Sequence, residues 1–172
     1  MAMEVARQIL IGIWQNAPVW VWPIFFVLVA IGVMSMRPRK TSVVPYIFYP
    51  LFGLTAIGGI QALAHAPLNW IVFGLAYALG LGLAFRWQDR LILAKERWRL
   101  SLKGERITLV ILMVIFFSNF VNGVLEAVAP EAQATSLFTV VFAGLIGACS
   151  GSFTGRALRV LTLGARNSGV GG

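Results

Sequence analysis

Apolar residues fill this chain in long runs, and charged residues gather between them. Runs over residues 19–36, 43–64, 71–85, 107–127 and 135–154 lie near the length of about 20 residues that an α-helix needs to cross a hydrocarbon core of about 30 Å. The pattern predicts an all-α integral membrane protein, a compact bundle of five transmembrane helices. Residues 1–15 read as an interfacial amino-terminal helix, residues 16–160 as the five-span domain, and residues 161–172 as a Gly-rich flexible tail.

Punctuation along the chain supports these boundaries. Trp14, Trp20 and Trp22 crowd the start of the first span as an aromatic belt, and Arg37, Pro38, Arg39 and Lys40 stop it. The second span contains Pro45, Pro50 and the Gly58-Gly59 pair, which makes it the least regular of the set. The loop 86–106, RWQDRLILAKERWRLSLKGER, is the longest polar segment. Its partial alternation at RWRLSL allows either a short hairpin or a surface helix. Short turns containing Pro67 and Pro130 close the opposite end.

Composition sharpens the class. At 59% hydrophobic and 12% charged residues, with mean hydropathy +0.84, the chain is too apolar for a soluble domain of 172 residues. The net charge of +8 would suit nucleic acid, but the basic residues sit at span ends and form no continuous reading face, so no nucleic-acid partner is expected. Thirteen of the fourteen Lys and Arg residues fall in three segments on one side of the five-span topology, with Arg7 alone on the other. This asymmetry predicts an outside amino terminus and an inside carboxyl terminus. Anionic headgroups at the cytoplasmic face are then the expected partners of Arg37, Arg39, Lys40, Arg86, Arg97, Arg99 and Arg156. Arg156 could also pair with Asp89 or Glu105.

Small residues mark where helices can approach. Gly74, Ala78 and Gly82 recur at four-residue spacing on the third span, and Gly144, Gly147, Gly151 and Gly155 share one face of the fifth. Both are read as packing faces.

Polar chemistry concentrates in the fourth span, ITLVILMVIFFSNFVNGVLE, where Ser118, Asn119, Asn122 and Glu126 fall within about 100° of one another on a helix. One reading has the asparagines bonding neighbouring helices while Glu126 stays hydrated near the outer surface. The other makes the stripe an outward-facing vestibule, with His65 near its rim. Five helices leave little room for a private pore, which would place any conduit between subunits of a homo-oligomer. A single cysteine, Cys149, excludes an internal disulfide, and no spacing supplies a metal site. No phosphate loop, zincin motif or hydrolase elbow occurs, so neither catalytic residues nor a cofactor is expected.

The segments NAPVWVWPIFFVLVAIG, RPRK, FFSNFVNGV and GSFTGR resemble a family of small, uncharacterised multipass proteins of the bacterial inner membrane. The resemblance implies that location and assigns no activity. Two functional readings therefore stand: an oligomeric channel or transporter-like protein for a small ion or solute, or a membrane scaffold or accessory subunit binding lipid or a protein through its basic loop.

Overall fold

The computed structural model describes residues 19, 21–48, 51, 59–61, 63, 66–95 and 98–163 of the chain. Along it run α1 (Val21–Ser35), β1 (Arg39–Ser42), α2 (Val44–Phe48), α3 (Ala66–Asp89), β2 (Ile92–Lys95), β3 (Arg99–Leu102), α4 (Ile107–Val128), α5 (Pro130–Gln133) and α6 (Ser136–Thr162). Three of these, α3, α4 and α6, are long and apolar enough to cross a membrane. The first expected span is a helix of 15 residues, about 22 Å at 1.5 Å per residue. Half of the second, all of the expected interfacial helix 1–15 and residues 164–172 of the expected tail lie outside the described residues, while residues 161–162, expected in the tail, belong to α6.

The helix ends follow local chemistry. At the carboxyl end of α4 the Ala129 N–H bonds to the Leu125 carbonyl, and Pro130, at the first position of α5, starts a new turn. Thr135 caps α6, its hydroxyl accepting the Phe138 N–H at 3.4 Å. Thr135→Ala is expected to cost about 0.5–1 kcal/mol in thermal unfolding, the low end of capping effects because the bond is long.

α6 is the central pillar. Of its most apolar stretch 56% is buried, against 6% for α4 and 17% for α3. Its main partner is α3, and the contact is made by glycine. A Cβ added at Gly147 would lie 2.6 Å from the Phe73 carbonyl oxygen, one at Gly151 2.8 Å from the Tyr77 carbonyl carbon, and one at Gly155 3.0 Å from that of Leu81. Phe73, Tyr77 and Leu81 meet Gly147, Gly151 and Gly155 in the same order, so α3 and α6 run parallel, in step every four residues. Gly80 makes the reciprocal approach to Ala148, and the Tyr77 hydroxyl donates to Thr154 Oγ1 at 2.8 Å. Such backbone proximity is how helices pack where lipid removes any hydrophobic gain from association.

α1 packs antiparallel on α4. Gly32 lies against Leu109 and, further from that end, the Phe25 ring meets Phe116 at 5.3 Å.

The loop after α3 forms a hairpin, β2 and β3, and β1 joins it in an antiparallel sheet of order β1-β3-β2. Arg39 pairs with Leu102 and Ser42 with Arg99, while a bulge between Ile92 and Ala94 adjusts β2 to β3. The sheet is an addition to the all-α expectation: the basic run read as a stop to the first span is partly a strand. Its inward residues Ile92, Leu100 and Leu102 form a core with Val43, Tyr46 and Val160, which seats the sheet against the end of α6. A second core at the other end joins Leu63, Phe142 and Ile146.

Candidate functional site

The carboxyl ends of α1, α3 and α6 meet the amino end of α4 beneath the sheet, and a charged cluster ties them together. Glu105 precedes α4, and Thr108 lies in its first turn. The Thr108 hydroxyl donates to Glu105 Oε1 at 2.7 Å. Arg156, on α6 one turn beyond the buried Ser152, reaches the same pair. Its Nη1 donates to Glu105 Oε1 and, at 2.9 Å, to Thr108 Oγ1, while its Nη2 donates to Glu105 Oε2 at 3.3 Å. The geometry is a bidentate ion pair supported by a hydroxyl. The side chains of Arg156 and Glu105 are only 6% and 13% exposed. The Glu105 N–H also donates to the Ser35 carbonyl at 2.9 Å, which fastens α1 to the group.

Beside the pair is a cavity of about 10 Å³, lined among others by Ser35, Tyr46, Gln88, Glu105, Thr108 and Arg156. It has room for about one water molecule. Gln88 Oε1 and Arg156 Nε are buried here without a hydrogen-bond partner among the described residues. An acceptor and a donor thus line one polar space.

Two further ion contacts surround the cluster. Arg159 holds Asp89 through Nη2 at 2.6 Å and stacks over Phe85 at 5.2 Å; this pair is 25% and 40% exposed. Lys95 is buried on β2, where its ammonium donates to the Val160 and Leu163 carbonyls at the end of α6. A cation there satisfies carbonyls that the helix cannot pair and meets the negative end of its dipole.

Arg156, for which the sequence left open lipid headgroups or a pair with Asp89 or Glu105, is buried in the ion pair with Glu105. The helix continues through Arg156 and Arg159 to Thr162 because Glu105 and Asp89 receive their charges. Of the other cations assigned to headgroups, Arg37, Lys40, Arg86 and Arg99 are exposed, Arg39 is half-buried against the cavity, and Arg97 lies outside the described residues. Of the residues brought together here, Glu105 was foreseen as a partner of Arg156, whereas Thr108, Gln88 and Lys95 were not singled out in the sequence. The available signal was Arg156 itself, a charge on a helix face otherwise made of Gly, Ser and Cys.

No protein-family model, curated protein or solved structure matches this chain.

The polar stripe of α4 lies toward its other end. The Asn119 amide donates to the Ile115 carbonyl of its own helix at 2.8 Å, and Asn122 Oδ1 accepts from Gln133 Nε2 at 3.0 Å. Ser118 is half-buried, Glu126 is exposed, and His65 lies outside the described residues. Gly74, Ala78 and Gly82 are exposed, and a Cβ at Gly74 or Gly82 would meet nothing within 4 Å. They make no helix packing face among the described residues; on α3 Gly80 has that place. A Cβ at Gly144 would lie 3.6 Å from the Val72 side chain, at the edge of the α3 contact. No group of three or more His, Cys, Asp or Glu stands ready for a metal among the described residues.

Proposed function

We propose that this protein is a non-catalytic membrane scaffold or accessory subunit whose sheet-bearing end grips anionic lipid headgroups. The observation that carries this reading is the separation of charges at that end. Those that pair, Arg156 and Lys95, point inward and hold the helix ends, whereas Arg37, Lys40, Arg86, Arg90, Arg99, Lys103 and Arg106 are exposed around the sheet. Trp87 and Trp98 are exposed among them at 42% and 58%, with the Arg90 guanidinium 5.8 Å from the Trp87 ring. Cations interleaved with amphipathic aromatics suit the headgroup zone of a bilayer. The charge asymmetry of the chain favours the cytoplasmic side for this end, in a five-span arrangement with the amino terminus outside, and the resemblance noted above implies a bacterial inner membrane. The vestibule reading has less support, because Asn119 and Asn122 already have partners in the protein.

The test compares purified protein reconstituted with phosphatidylglycerol and with phosphatidylcholine. Anionic lipid should be enriched around the protein, and Lys40→Gln, Arg99→Gln and Lys103→Gln combined should remove most of that enrichment. Each cation near the surface contributes about 1 kcal/mol, so the loss should exceed about tenfold. Equal retention of both lipids by the native protein would sink the reading.

A further inference from the structure

A wide, open apolar groove of about 660 Å³ lies along α3 and is bordered on one side by Leu158 of α6. Leu81, Phe85 and Leu158 line it together with Ala78 and Gly82, and one charged residue, Arg86, completes the lining. Arg86 follows Gly82 by one helical turn and lies toward the sheet-bearing end, where the exposed cations gather. Two observations make this more than a row of small residues. A Cβ at Gly82 would meet nothing within 4 Å, so no side chain among the described residues fills the space there, and the single cation stands at the end where a headgroup would lie.

We propose that the groove seats one phospholipid with an anionic headgroup, an acyl chain against Gly82, Leu81 and Leu158 and the phosphate on Arg86. The site rests on the headgroup-binding reading above and names a discrete partner within it. A lipid fits both ends of the groove, hydrocarbon against hydrocarbon and anion against guanidinium. A second copy of the chain fits less well. Packing by a twofold axis along this face would bring Arg86 toward its own mate, because such an interface sets each surface against itself.

Native mass spectrometry of the full chain, released from mild detergent and titrated with phosphatidylglycerol or phosphatidylcholine of identical chains, tests the assignment. One phosphatidylglycerol should be retained per chain ahead of all later ones. Gly82→Leu should abolish that first event for both lipids, since its side chain occupies the groove. Folding should survive, because a Cβ at this position meets nothing within 4 Å; an unchanged thermal unfolding temperature verifies it. Gly74→Leu, on the same helix but outside the groove lining, should leave the first event intact. Arg86→Gln should weaken phosphatidylglycerol by about fivefold, the equivalent of about 1 kcal/mol, and leave phosphatidylcholine unchanged. The combined Lys40, Arg99 and Lys103 variant should weaken only the later events. Loss of the first event in that variant, with Gly82→Leu unaffected, would overturn the groove while leaving the wider headgroup reading standing. Conversion of a native dimer to monomer by Gly82→Leu would overturn it in favour of a second copy.

Discussion

Arg156→Met should destabilise the protein by about 3–5 kcal/mol, the cost of leaving one charge of a buried pair without its partner. The stranded group is the Glu105 carboxylate, 13% exposed and otherwise bonded to the Thr108 hydroxyl. Glu105→Met should cost a similar amount for the converse reason, since the guanidinium would remain buried beside Gln88. The double variant should recover most of the loss, because two apolar side chains of comparable volume remove both desolvation penalties. Denaturant or thermal unfolding in micelles supplies the three values, and their non-additivity is the readout. Strictly additive effects, or single variants within about 0.5 kcal/mol of the native protein, would mean that the pair is not holding the helix ends.

Gly151→Ala is expected to have the second largest effect, and glycines elsewhere provide its control. At Gly151 the added methyl would collide with the Tyr77 carbonyl, part of a backbone that can yield only if α3 and α6 separate. Overpacking of this kind costs about 1–3 kcal/mol, occasionally more. Gly74→Ala, where the methyl meets open space, should instead be neutral or stabilising by up to about 1 kcal/mol, from helix propensity alone. Opposite signs for the same chemical change on two membrane helices would be a direct measure of the α3–α6 contact. A loss at Gly74→Ala equal to that at Gly151→Ala would refute it.

What could be read in the sequence divides along chain separation. α4 was legible to within a residue or two, expected over 107–127 and found as Ile107–Val128, because its limits are set by neighbours in sequence: Arg106 on one side and Pro130 on the other. α6 was expected to stop at residue 154 and continues to Thr162. Its extra turns depend on Glu105, Asp89 and Lys95, whose proximity no local pattern encodes. The same is true of β1. Arg39 and Lys40 read as charges ending a span, and they become a strand only because β3, some sixty residues later, offers its edge. The candidate site was legible only in part for this reason: the Arg156–Glu105 pair was one of the alternatives, while Thr108, Gln88 and Lys95 gave no sign of joining it. Nothing local marks Arg156 as buried rather than as a headgroup cation, because the groups receiving its charge sit at a helix start that looks like an ordinary polar loop.

The parallel pairing of α3 with α6 also sets an order of events. Two parallel neighbours cannot form a hairpin, so the chain must pass back across as α4 before the glycine face of α6 reaches Phe73, Tyr77 and Leu81. In a chain made from its amino terminus onward, α3 therefore waits without its closest neighbour while α4 is synthesised, and Glu105 waits without its guanidinium. The same helix delivers both. Synthesis halted before α6 would leave a loosely joined set of spans with an unmatched carboxylate at their ends.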